Sequence, residues 1–295
     1  LAVDDVRLIG DPQLRRPVLL YGFTGWNDAG DGASGAIRAL AEHWGATQVA
    51  DLDPEPFTDF TTVRPFVAIE EGQRQIVWPT VDVWAASLPS TDVLLVLGPE
   101  PAMRWRRFCE QIVGLCEHYG VTLAIGLGAL LAEYPHRRPA HLTATSADES
   151  LRERFGLRPP SYEGPTGIVG VLGDALTSAG VPTASLWAVV PTYTAQLTAA
   201  KATAVLVRAA CTIIGAPAPM EALATAIAEY DTQVADLLED AKLAAYVRRL
   251  EEVMPPGDDD EGSGRHLTSG IDFDVDDSRL VAEVEQFLRD SGDQK

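Results

Sequence analysis

Six residues, Asp92-Val-Leu-Leu-Val-Leu, constrain the fold of this chain more than any others. After the aspartate they are apolar without alternation. A strand wet on one face alternates apolar with polar residues, so this one reads as covered on both faces, the condition of a mostly parallel sheet between helical layers. Val18–Tyr21, Gln48–Leu52, Val121–Ile125, His141–Ala144 and Thr183–Val190 read as further strands. Stretches of helical period separate them. Gly30–Trp44 carries Ala33, Ile37, Leu40 and Ala41 on one stripe, and Gly45 ends it as a C-terminal glycine does. Pro101–Tyr119, Ala147–Phe155, Ile168–Ala179 and Lys201–Ile214 read as helices too. The first strand–helix–strand order predicts a parallel crossover. Phe66–Ile69 and Gln75–Trp78 flank a turn at Gly72 and predict a hairpin.

Residues 1–217 thus form the expected α/β core domain. Residues 218–254 are an expected helical region, because Met220–Met254 contains no Gly or Pro. Its stripe of Leu223, Ile227, Tyr230, Val234, Leu237, Ala241 and Ala244 is heptad-like, then drifts toward Val247 and Leu250. One long helix or a helical hairpin satisfies that pattern, packed on the core or on a neighbouring subunit. Residues 255–277, opening Pro255-Pro-Gly-Asp-Asp-Asp-Glu, have the composition of an acidic flexible linker. Residues 278–295 begin with Ser278 as an N-cap and carry Leu280, Val281, Val284, Phe287 and Leu288 as an amphipathic terminal helix.

Charge narrows the partners. Against 43 Asp and Glu stand 23 Lys and Arg, a net charge of −20. Nucleic acid and anionic membranes both call for cationic surfaces, so neither is an expected partner. No apolar run approaches the roughly 20 residues of a membrane span, and Leu1–Pro17 lacks the apolar stretch of a signal peptide. A cytoplasmic location is expected. Cys109, Cys116 and Cys211 form no Cys-x-x-Cys pair and read as small buried hydrophobes in a reducing compartment.

In an open α/β sheet, ligands gather beyond the C-terminal ends of the parallel strands. Three such ends carry polar residues. The first supplies Trp26, Asn27, Asp28 and Asp31; the second Glu100, Arg104 and Trp105; the third His136, Arg137 and Arg138. Trp26, Asn27, Asp28, Asp31, Glu100, Arg104, Trp105, His136 and Arg138 are the candidate ligand-binding rim. Each also has a structural reading. Asn27, Asp28 and Asp31 suit capping of the helix that follows, and Glu100 suits the first turn of the next one. His136 and its arginines suit pairing with those carboxylates, and the tryptophans suit core or interface packing. Gly164, Gly167, Gly170 and Gly173 are spaced for close packing of a helix on a sheet; a phosphate loop would need Lys and Ser/Thr where Ile168-Val stands.

Catalytic patterns are missing from the sequence. It has no Gly-x-Ser-x-Gly, no His-Glu-x-x-His and no complete Gly-x-Gly-x-x-Gly. Neither a metal nor a cofactor is expected, and no catalytic residue is assigned.

Five blocks resemble one family. They are Gly22-Phe-Thr-Gly-Trp-Asn-Asp-Ala-Gly-Asp, Gly98-Pro-Glu-Pro-Ala-Met-Arg-Trp, Gly128-Ala-Leu-Leu-Ala-Glu-Tyr-Pro-His-Arg-Arg-Pro, Tyr162-Glu-Gly-Pro-Thr-Gly-Ile-Val-Gly and Ser185-Leu-Trp-Ala-Val-Val-Pro-Thr-Tyr. Across most of residues 15–250 the chain is similar to the proteasome assembly chaperone family, in its actinobacterial PAC2-type branch. The resemblance implies a three-layer α/β/α, phosphorylase/hydrolase-like fold and a homotrimer. It also implies a chaperone-like interaction protein, with a proteasome-related partner by resemblance alone. Three features depart from relatives: Thr192 replaces a common histidine, Leu197-Thr-Ala stands where Pro-Asn-Pro is common, and the chain ends Asp293-Gln-Lys instead of in the hydrophobic-Tyr-any tripeptide by which archaeal members dock. The alternative is a small-molecule binder, or a hydrolase- or ligase-like enzyme, working at the rim.

Overall fold

The computed structural model describes residues 3–70 and 72–254. Eight strands form one sheet: β1 (Val6–Leu8), β2 (Val18–Thr24), β3 (Thr47–Leu52), β6 (Val81–Ser87), β7 (Asp92–Pro99), β8 (Leu123–Ala132), β9 (Leu142–Ser146) and β10 (Thr183–Pro191). Their order is β1-β3-β6-β7-β2-β8-β10-β9. β7, β2, β8 and β10 are mutually parallel. β6 and β9 run against them, and β3 pairs antiparallel with β6. β4 (Phe66–Glu70) and β5 (Gln73–Val77) make a separate two-stranded hairpin, with Gly72 at φ +80° in its turn.

Helices cover both faces. α1 (Gly32–His43) and α5 (Ala200–Ile214) pack on one, through Ala33, Ile37, Leu40, Leu206 and Val207. α2 (Trp105–Tyr119) and α4 (Ile168–Ser178) pack on the other, through Phe108, Ile112, Ile168 and Leu172. α3 (Glu149–Phe155) is short. The central strand is covered as its sequence requires: Val93, Leu94, Leu95 and Val96 are buried, and alternate residues enter opposite core clusters. This is the three-layer α/β/α arrangement.

Some local readings change. β3 does run in the sense of β2, but β6 and β7 lie between them, so the crossover skips two strands. β6 has no counterpart among the expected strands, since Val-Asp-Val-Trp-Ala-Ala-Ser lacks flanking glycines and a long apolar run. β8 runs past the expected end at Ile125, through Gly126 and Gly128, to Ala132. Register explains them. Gly126 pairs with Tyr21 and Gly128 with Trp187. A Cβ on either glycine would lie 2.7 Å and 2.5 Å, respectively, from the neighbouring ring. Those glycines make room for aromatics on adjacent strands.

The C-terminal region divides into α6 (Met220–Leu237) and α7 (Ala241–Val253). Asp240 breaks them by accepting the backbone N–H groups of Lys242 at 2.8 Å and Leu243 at 2.9 Å. The heptad-like stripe meets this same chain. Leu223 joins the α5 core, while Tyr230 and Val234 pack with Ala200. The expected linker and terminal helix, residues 255–295, lie outside the described residues.

Candidate functional site

The loops after β2 and β7 meet. Glu100 donates its backbone N–H to Thr24 O at 3.0 Å. The Asn27 Nδ2 amide donates to Glu100 Oε1 at 2.7 Å. The same oxygen accepts the backbone N–H of Ile168 at 2.9 Å. Glu100 therefore caps α4 and not α2, the helix that follows it in sequence. A third strand joins the cluster, because Ala129 of β8 donates its N–H to Asn27 O at 2.9 Å.

Asp28 confirms the capping reading. Its Oδ1 accepts the N–H groups of Ala33 at 2.7 Å and Ser34 at 3.0 Å, at the start of α1. Its Oδ2 is buried without a hydrogen bond, as is Asn27 Oδ1. Burial pushes the Asp28 carboxyl above the ordinary aspartate value, against the pull of the Ser34 and Ala33 hydrogen bonds. Asp31 makes no side-chain cap; it holds a left-handed conformation at φ +55°. Gly167 lies against Asn27 so closely that a Cβ there would fall 2.0 Å from Asn27 Oδ1. Gly173 approaches Tyr21 in the same way, with its Cβ position 3.0 Å from the phenol oxygen. Gly167 and Gly173 are thus packing glycines, whereas the Cβ positions of Gly164 and Gly170 meet only the nearby Tyr162 and Thr166.

The remaining rim residues are placed variously. Trp26 is 63% exposed, one residue from the buried Asn27. Arg104 is exposed in a left-handed conformation at φ +55° before α2. The Trp105 indole N–H donates to Pro101 O at 2.5 Å. His136 bonds to a residue outside the rim: Tyr193 OH accepts its backbone N–H at 2.7 Å and lies 2.7 Å from its Nδ1. The direction of the Tyr193–Nδ1 hydrogen bond follows the tautomer of the imidazole. Burial, followed by Lys201 and Arg137, holds the His136 pKa below the ordinary histidine value. Arg137 pairs with Glu251 of α7 at 3.7 Å, and the Arg138 guanidinium lies 5.8 Å from the Tyr134 ring centre.

A cavity of about 10 Å³ sits beside His136, lined also by Tyr134, Arg138, Val190, Lys201 and Tyr230. That is room for about one water. Lys201 pairs with Asp231 of α6 at 2.6 Å, and Tyr230 OH donates to Thr194 Oγ1 at 3.2 Å. Tyr193 was legible in principle: it follows the C-terminal end of β10, where the rule that found the other three loops also applies. Lys201, Tyr230 and Asp231 belong to helices remote in sequence and carry no local signal.

A sheet with parallel central strands, helices on both faces and polar loops joined across the ends of β2, β7 and β8 defines a doubly covered α/β protein. Residues 22–238 match the model of the PAC2 family, and the chain belongs to that family. A PAC2 family protein from Streptomyces avermitilis is 40% identical, covering 78% of this chain and 99% of its own, with a TM-score of 0.72. A Mycobacterium tuberculosis proteasome-assembly chaperone homologue is 36% identical over 78% of this chain and 99% of its own, with a TM-score of 0.70. A second M. tuberculosis structure, of a protein of unknown function, is 25% identical over 84% and 90%, with a TM-score of 0.76. Among curated proteins none matches this chain.

Proposed function

We propose that this chain is a non-catalytic, chaperone-like interaction protein that works as a homo-oligomer, a trimer by family resemblance. The observation that carries the reading is the β4–β5 hairpin. Phe66 is 61% exposed and Ile69 72%, and Val67, Ile76 and Trp78 are exposed beside them. Val67 pairs with Ile76 and Ile69 with Arg74 on one face, while Phe66 pairs with Val77 on the other. A two-stranded hairpin with apolar residues outward on both faces gains little from its own domain. A protein partner would cover it.

Charge favours a second copy as that partner. In a chain of net charge −20, residues 64–78 hold Arg64 and Arg74 against Glu70 and Glu71 and so are neutral. Two copies meet with least repulsion there. The α6 stripe no longer argues for association, since this chain's own core covers its first half. Kinship to a proteasome-assembly chaperone homologue supports a protein-handling role. Sedimentation of the wild type and of an Ile69→Glu variant tests the reading; a wild type that stays monomeric at all concentrations would overturn it.

A second reading, a small-molecule binder or a hydrolase- or ligase-like enzyme, draws on the polar loops joined at the ends of β2 and β7, since the cavity beside His136 holds no more than about one water. A thermal-shift panel of nucleosides, amino acids and phosphates tests it, because a ligand selective for the folded state raises Tm.

A further inference from the structure

The loops after β8 and β10 gather cations in an otherwise acidic chain. Residues 132–140 and 191–201 hold Arg137, Arg138 and Lys201 against a single carboxylate, Glu133. Two of these cations meet at one turn. Lys201 Nζ donates to His136 O at 3.3 Å, and Arg137 is the next residue.

Helices from later in the chain answer both cations with carboxylates. Asp231 of α6 lies 2.6 Å from Lys201, and Glu251 of α7 lies 3.7 Å from Arg137. The second contact is an ion pair too long for a hydrogen bond, and Glu251 Oε1 is buried without one. All four charges act on His136. Lys201 and Arg137, after burial, hold its pKa down, while Glu251 and Asp231 pull it up.

Apolar packing adds little to this cover. The buried residues of α7 are Val247 and Leu250, and those in the second half of α6 are Tyr230 and Val234. Polar links do the rest: Tyr230 OH donates to Thr194 Oγ1 at 3.2 Å, and Tyr246 OH to Glu133 Oε1 at 3.4 Å. Arg137 is 70% exposed and Asp231 50%, so exchange of partners can begin from solvent. The cavity below, about 10 Å³, is too small to take a carboxylate while the helices stay in place.

We propose that Arg137 and Lys201, joined at the His136 turn, form a binding site for a small carboxylate that α6 and α7 hold shut. Asp231 and Glu251 occupy the places of the ligand's oxygens, and an incoming carboxylate exchanges for them as the helices lift. The internal occupants select the class, because cations paired with carboxylates from within suit carboxylates from outside. The cover selects a small molecule, since free ligands bind in enclosed sites. The inference goes beyond the interaction-protein reading and does not rest on it.

The test is a titration of the full chain with succinate at constant ionic strength, followed at the His136 imidazole resonance and assigned with His136→Gln. A saturable shift is expected, with faster amide exchange along α7 as the site fills. Asp231→Asn with Glu251→Gln removes both internal carboxylates at nearly constant size and should bind succinate about tenfold more tightly. Glu42→Gln with Glu55→Gln removes the same charge from exposed positions on α1 and after β3, and should bind as the wild type does. Lys201→Met in the wild-type chain should lose the shift, a readout independent of how the double variants fold. No saturation, a shift retained in Lys201→Met, or equal gains from the two double variants would overturn the site. Binding with unchanged α7 exchange would overturn the closure by α7, and inorganic phosphate binding as tightly as succinate would overturn the carboxylate class. Self-association, read by sedimentation, bears on none of these outcomes.

Discussion

Asn27 and Glu100 are 73 residues apart in sequence and 2.7 Å apart in space, with the amide of one donating to the carboxylate of the other. The contact closes the gap between the loops after two adjacent parallel strands, and Glu100 passes the link on to the start of α4. Its loss should be felt in stability. Glu100→Ala leaves the Ile168 N–H and the Asn27 amide without their acceptor and should cost about 2–3 kcal/mol in urea unfolding. Glu100→Gln should cost under about 1 kcal/mol, because an acceptor remains. Equal losses for the two would show that hydrogen bonding is not what this residue contributes.

Gly167 and Asn27 should be energetically coupled. A methyl at Gly167 would overlap Asn27 Oδ1, which is fully buried and unable to swing away. Gly167→Ala should therefore destabilise by about 1–3 kcal/mol, the usual cost of overpacking. Adding Asn27→Ala should recover part of that loss. A double-mutant cycle reads the coupling, and strictly additive effects would contradict the contact.

Asp28 should make stability fall on the alkaline side of its titration. Burial raises its folded-state pKa above the ordinary aspartate value, so the folded chain holds the proton more tightly than the unfolded chain. The resulting stability is fully present below the unfolded value and is lost as pH rises through the raised folded one. Asp28→Asn keeps an oxygen for Ala33 and Ser34 and removes the titration. Its stability relative to the wild type should rise across that acidic window in paired thermal melts, and parallel curves would refute the assignment.

The hairpin should separate association from folding. Ile69 projects from a sheet detached from the core, so Ile69→Glu should change the unfolding free energy of the domain by less than about 0.5 kcal/mol. The same change should shift sedimentation toward the monomer. A variant that loses stability without changing its association would place Ile69 in the fold and remove it from the interface.

The sequence by itself determined what depends on neighbours along the chain. Unbroken apolar runs gave the central strands, the 3.6-residue period gave the helices, and Gly72 between two short runs gave the hairpin. Asp28 was readable as a cap because the helix it serves follows at once. Tertiary structure alone decided what depends on neighbours across the sheet. Strand order placed β6 and β7 between β2 and β3, and register made Gly126 and Gly128 seats for Tyr21 and Trp187. Glu100 shows the division most clearly. Its sequence position pointed to the first turn of α2, yet its carboxylate serves α4, because a side chain bonds to the donor that folding brings within reach, however distant in sequence.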